Sequence, residues 1–200
     1  NESGCNVTNN NPVHNFEGKQ TLELLWVGRF IFTKQLKLAL KSLAACENKN
    51  IKLHIVGGSI EEEAPFKKLS EKLMIKEQCI WHEKISHDKV QALMQQCDLF
   101  FFTSIAEGTP HVILEAFNNS LPVLCFNTCG QGDCVNDKVR LKIELSNPQQ
   151  SIKDFTEKIE FLYNNRKELK RMSANCKERQ MELSWDNKIK QMIELYTKIK

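Results

Sequence analysis

The chain has 200 residues, of which 41% are apolar and 26% charged, with a net charge of +3. That composition supports a packed core and does not indicate disorder, and the length fits one domain, or one domain with an appended terminal helix. No apolar run is long enough to cross a membrane, and the charge is too small to indicate nucleic acid.

The basic excess is uneven. Residues 137–200 carry 15 Lys and Arg against 10 Asp and Glu, densest at Arg166–Arg171. Such a patch ordinarily reads as a solvated helix face, and peripheral contact with anionic lipid is the alternative. The eight cysteines are scattered without a C-x-x-C. Cys125, Cys129 and Cys134 cluster, but at loose spacing and with no nearby His, so a reduced, cytoplasmic setting is the simpler reading than a metal site. The chain does not begin with Met and shows no signal peptide, and so reads as a piece of something longer.

In chain order, Asn1–Gly18 is polar and unpatterned and reads as a linker. Its sequon-like Asn6-Val7-Thr8, and Asn118-Asn119-Ser120 further on, are chance matches without secretion. Leu22–Val27 is a predicted strand ending in Gly28-Arg29, with Thr33 capping a helix to about Glu47. Ile51–Val56 is a second strand, closing in Gly57-Gly58; the glycine pair suits a simple turn or a turn near a ligand. Glu61–Lys76 reads as an amphipathic helix with Phe66, Leu69, Leu73 and Met74 inward. Cys79–Trp81 is a short strand, with Trp81 in the core and His82 in a loop without an evident partner. Ser86 starts a helix to Gln96, with Asp88 in its first turn.

The stretch Asp98–Phe117 organises the rest. Leu99-Phe100-Phe101-Phe102 reads as a strand buried on both faces, as in a parallel sheet. Ser104–Thr109 is a polar turn with Gly108 as its permissive residue. Thr109 then caps a helix whose first position is Pro110. Glu115 stands among Val112, Ile113, Leu114, Ala116 and Phe117, so its carboxylate is expected to be partly buried with a partner. Glu107 precedes the helix, whose first amides form an anion site. An anion cradle beside two carboxylates suits a phosphorylated, hydroxyl-rich ligand such as a nucleotide sugar.

Leu121–Phe126 is the fifth strand, Asn127–Lys138 a loop with Gly130 and Gly132, and Leu141–Leu145 a sixth strand. Helices follow over Gln149–Asn164, Lys167–Leu183 and Trp185–Ile199, the last capped by Ser184. This alternation predicts a doubly wound, Rossmann-like α/β fold with a parallel sheet and extra C-terminal helices. Ligands of such sheets bind beyond the carboxyl ends of the strands.

Glu107-Gly108-Thr109-Pro110 to Glu115-Ala116 resembles the E-x7-E signature of retaining GT-B glycosyltransferases, in their C-terminal, donor-binding half. The resemblance covers about Thr21–Lys200. It implies a nucleotide-sugar-binding domain over 19–183 and a crossover helix over 184–200, with the N-terminal acceptor domain as partner. The donor, linked to UDP or GDP, is a substrate, and no cofactor is implied.

Arg29 and Lys34 resemble the family's G-R-x-x-x-x-K-G cations, which neutralise the donor diphosphate; Gln35 stands where Gly is usual. Gly108, Thr109 and His111 would supply amides to the same phosphates. Glu115 would hold the ribose. Glu107, beside the donor sugar, is the candidate catalytic residue. Lys84 and Ile85 would flank the base, with Glu83 where the family has Gly. Gly130, Gly132 and Asp133 form a candidate donor-sugar loop, though Asp133 also reads as a turn end. The chain has no D-x-D, and the two cations make metal unnecessary.

The resemblance further implies polysaccharide or glycoconjugate synthesis at the inner face of a membrane, with this piece inactive alone. A non-catalytic nucleotide or phosphosugar module is the competing reading. A response-regulator-like domain would need acidic residues after the first strand, where Gly28-Arg29 stands.

Overall fold

The computed structural model describes residues 5–6, 14–16, 18–108, 110–136 and 138–198. The chain runs β1 (Leu22–Val27), α1 (Leu36–Ala45), β2 (Ile51–Val56), α2 (Ile60–Lys72), β3 (Cys79–Trp81), α3 (His87–Gln96) and β4 (Leu99–Phe102). It continues α4 (His111–Asn118), β5 (Val123–Phe126), α5 (Cys129–Cys134), β6 (Arg140–Ile143), α6 (Pro148–Asn164), α7 (Arg166–Glu182) and α8 (Trp185–Lys198). The strands pair in parallel in the order β3-β2-β1-β4-β5-β6. This is the doubly wound, Rossmann-like sheet expected from the alternation.

The chain winds outward from β1 to β3, then returns to lay β4 on the other side of β1. Strand alternation gives two cores. Leu24, Trp26 and Phe101 face α1 and α6; Leu25, Phe100 and Phe102 face α3, α4 and α7. Phe101 meets the Phe155 ring edge-on at 5.0 Å. The crossovers that follow β1 and β4 lie on opposite faces, so a crevice opens beyond the carboxyl ends of these two neighbours. The amino end of β4 is pinned by Asp98, which is fully buried. It takes Lys19 Nζ at 2.7 Å and the Glu23 N–H at 2.9 Å, with Arg166 at 4.0 Å.

Several local expectations differ. Thr33 caps nothing: it lies inside a 3-10 turn, Phe32–Lys34, and a left-handed Gln35 precedes α1. α2 stops at Lys72, and Met74 is 89% exposed at φ 58, not inward. Ser59 and Glu62 form the capping box that starts α2. Asn127–Lys138 is not wholly loop, because α5 forms within it. Pro110 occupies the cap position of α4, which begins at His111; Thr109 lies outside the described residues. Ser184 does cap α8, through the Asn187 N–H at 3.2 Å.

Within the segment expected as linker, His14 and Phe16 are buried, and Cys5 bridges to Ser184. α8 buries none of its residues; Trp185 and Tyr196 are both exposed. Among the described residues no helix is long and apolar enough to cross a membrane. The patch at Arg166–Arg171 is partly neutralised, since Arg171 pairs with Glu168 at 2.6 Å.

Candidate functional site at the carboxyl edge of the sheet

The loops after β1 and β4 are stitched together. Thr103 and Ser104 are buried. Thr103 Oγ1 accepts from Trp26 Nε1 at 2.9 Å and donates to the Lys34 carbonyl at 2.8 Å. The Ile105 N–H donates to the Thr33 carbonyl at 2.9 Å. Lys34 lays its stem along Gly28, whose added Cβ would stand 3.5 Å from Lys34 Cγ and Cδ. The chain turns there through Gln35 at φ 55 and ψ 41. That left-handed conformation is the backbone reason a glycine suits the position.

Lys34 and Glu107, expected on different loops of one site, meet directly. Nζ is 2.5 Å from Oε1, with the side chains 17% and 19% exposed. Ser104 Oγ donates to the same Oε1 at 2.6 Å. Both donors use one oxygen, and among the described residues Oε2 receives no hydrogen bond. Arg29 is exposed on the β1 loop, and no side-chain partner is found for it among the described residues.

The loop after β5 closes on Glu107. The Gly130 N–H donates to the Glu107 carbonyl at 3.0 Å, and a Cβ on Gly130 would stand 1.9 Å from the Gly108 carbonyl. Only glycine allows this approach. Gly108 itself has nothing within 4 Å of an added Cβ and is not left-handed, so its expected permissive role is not what the turn uses. Buried Gln131 donates to the Ser104 carbonyl at 3.0 Å. Gly132 gives its carbonyl to Lys142 at 2.9 Å, and the Asp133 carbonyl accepts from Arg179 at 2.7 Å. The Asp133 side chain is exposed.

α4 starts on the same edge. His111 and Val112 precede its first internal bond, Ile113 N–H to the Pro110 carbonyl at 2.9 Å. Their amides thus stand at the positive end of the helix. One turn in, the side chain of Glu115 is 32% exposed, half-buried as expected. Its partners are on α3: Gln91 Nε2 donates to Oε2 at 3.2 Å, and His87 Nε2 is 3.5 Å from Oε1. Among the described residues no ion pair or hydrogen bond joins Glu115 to Lys34 or Glu107. It forms a separate wall of the same edge.

The loop after β3 holds the remaining pair. Ile85 is half-buried against the second core and Lys84 is exposed. Glu83 is left-handed at φ 54, again where the related motif has Gly. Its N–H donates to the buried Glu63 carboxylate at 3.0 Å, and Lys67 pairs with that carboxylate at 2.6 Å. Gly57 and Gly58 serve packing. Cβ atoms there would stand 2.1 Å from the Gly28 carbonyl and 2.3 Å from the Phe30 ring.

His82 proves to have partners. Its Nε2 meets His54 Nδ1 at 2.9 Å, the rings stack, and His54 Nε2 reaches Glu23 Oε2 at 2.9 Å. Burial lowers the His82 pKa, and the neighbouring His54 adds to the effect.

The eight cysteines are thiols, and Cys129 is the exposed one. Among the described residues no three His, Cys, Asp or Glu side chains converge as a metal site would require. Sequence reasoning missed Ser104, Gln131, Gln91 and His87. The signals were a serine three residues before Glu107 and polar residues four apart on α3.

The family model described as glycosyl transferases group 1 matches residues 7–179. An uncharacterised glycosyltransferase of Methanocaldococcus jannaschii is 30% identical over 115 residues, covering 57% of this chain and 32% of that protein. HepE of Anabaena, solved with UDP and glucose, superposes with a TM-score of 0.72 at 18% identity. The match covers 90% of this chain and 49% of HepE. Sucrose-phosphate synthase of Thermosynechococcus elongatus gives 0.75 at 19% identity, covering 90% of this chain and 45% of that one. The chain thus spans about half the length of these solved proteins.

Proposed function

The chain belongs to the glycosyl transferases group 1 family, and from that premise we propose that it is the donor-binding half of a retaining glycosyltransferase. The donor is a nucleotide-diphosphate sugar, UDP- or GDP-linked. The parent protein adds an acceptor domain and works in polysaccharide or glycoconjugate assembly at the inner face of a membrane. HepE is solved with UDP-glucose as well as with UDP and glucose. The pneumococcal O-GlcNAc transferase GtfA is solved with UDP and GlcNAc.

The observation that carries the reading is the Lys34–Glu107 pair at the β1/β4 crevice, with Ser104 behind it. A departing nucleoside diphosphate gathers negative charge, and fixed cations with helix-start amides stabilise it. Arg29, Lys34 and the amides of Gly108, Thr109 and His111 take that role. An entering diphosphate draws Lys34 toward itself. Glu107 then offers its carboxylate to the donor sugar while Ser104 keeps it in place. Glu115 takes ribose hydroxyls, Lys84 and Ile85 flank the base, and Gly130, Gly132 and Asp133 border the sugar. Two cations on the diphosphate make a divalent metal unnecessary.

Calorimetric titration of the chain with UDP, GDP and ADP tests the assignment. Binding of at least one is expected, weakened roughly tenfold or more in Arg29→Ala and in Lys34→Ala, as loss of a charge-assisted bond predicts. Equal affinity in wild type and variants would overturn it. Unchanged transfer by the full-length parent carrying Glu107→Gln would overturn the role given to Glu107, and nucleotide binding without any transfer by the unmodified parent would favour a non-catalytic nucleotide module.

A further inference from the structure

Glu115 is held from behind by a chain of amides whose orientation leaves no freedom. Asn119 is 4% exposed at the end of α4. Its Nδ2 lies 2.9 Å from the Glu115 main-chain carbonyl, a group that only accepts, so the nitrogen end of the amide is fixed. The same Nδ2 is 2.6 Å from Gln91 Oε1, so the oxygen of Gln91 faces Asn119. Gln91 Nε2 must then face the Glu115 carboxylate, 3.2 Å from Oε2. Gln95 Nε2 occupies Asn119 Oδ1 at 3.1 Å, and His14 donates to the Asn119 carbonyl at 2.7 Å.

Oε2 is therefore hydrogen-bonded to α3, while Oε1 has the exposed His87 ring nitrogen 3.5 Å away. Among the described residues Oε1 receives no hydrogen bond. Gln91 Nε2 is also 3.2 Å from His87 Nε2. We propose that Gln91, set by Asn119, is a positioning residue that turns Glu115 so that Oε1 alone faces the ribose hydroxyls of the nucleotide. This rests on the reading of Glu115 as the ribose-binding carboxylate.

The test is calorimetric titration of the chain with UDP, GDP and their 2′,3′-dideoxy counterparts, in wild type, Gln91→Met, Gln91→Ala, Glu115→Ala and the double variant Gln91→Met/Glu115→Ala. Gln91 is half-buried, so two replacements guard against a local misfit of either one. Both are expected to weaken ribonucleotide binding roughly three- to tenfold, the range of one hydrogen bond. Dideoxynucleotide binding should stay within about twofold, and the effect should vanish in the Glu115→Ala background. Equal losses for ribo- and dideoxynucleotides, or no loss, would overturn the proposal. If wild type binds none of the four ligands, the donor-site reading fails and takes this one with it. If wild type prefers the ribonucleotide through Glu115 and the Gln91 variants keep that preference, this inference alone fails.

Discussion

Gln35, Glu83 and Cys129 adopt left-handed backbone at φ 55, 54 and 49. They follow β1, β3 and β5, and so stand on the edge that carries the candidate site. Side chains in this conformation cost on the order of 1 kcal/mol each. Gln35→Gly is therefore expected to raise stability by about 0.5–1 kcal/mol in urea denaturation, with an unchanged slope. The opposite case is Gly130, where a Cβ would stand 1.9 Å from the Gly108 carbonyl. Gly130→Ala should destabilise by roughly 1–3 kcal/mol through forced backbone movement, whereas Gly108→Ala, with open space around it, should cost little. Paired denaturation curves of the two variants check the contrast. Glycine spacing alone did not separate them, because the close approach is made by a strand-end loop more than twenty residues away in the chain.

At the scale of elements, the amino end of β4 is the junction most exposed to a single change. The fully buried Asp98 carboxylate gathers Lys19, the Glu23 amide and Arg166. Removing a buried carboxylate leaves its cations uncompensated. Asp98→Ala is expected to cost about 3 kcal/mol or more in denaturant unfolding. α2 offers a milder case: Ser59 accepts from the Glu62 N–H, and Glu62 answers to the Ser59 N–H at 2.9 Å. Ser59→Ala should cost about 1 kcal/mol by the same measurement. The strands were legible as apolar runs, whereas the S-x-x-E of Ser59 and Glu62 went unread and the helix was expected from Glu61. The α1 start was misread at Thr33 because a threonine before an apolar periodic run satisfies the same pattern. The turn was decided by bonds from Ser104 and Ile105, which lie on another loop.

For the molecule as a whole, burial governs the titrating groups. Burial lowers the pKa of His14, against the upward pull of the Asn119 carbonyl and of Asp98; His82 is lowered as well. A histidine depressed in the folded state binds its proton more readily unfolded. Stability is then full above the ordinary histidine value, about 6.5, and falls as pH drops below it toward the folded pKa. Denaturation midpoints should decline from pH 7.5 to 5.5, and His14→Gln should flatten the decline. Burial also pushes the thiols of Cys46, Cys79 and Cys125 up to about 12. In native protein one thiol, Cys129, should react rapidly with a disulfide reagent, and all eight should react in denaturant.

The sequence by itself determined the strands, their parallel pairing and the edge on which the polar residues gather. Hydrophobic period and strand–helix alternation are local properties, and a right-handed crossover leaves few ways to assemble them. Only the tertiary structure decided which side chains meet: Lys34 and Ser104 on one oxygen of Glu107, Gln91 and Asn119 behind Glu115. Those contacts join residues up to seventy-three positions apart. Their geometry depends on the order in which β1 and β4 lie side by side, which no local pattern encodes.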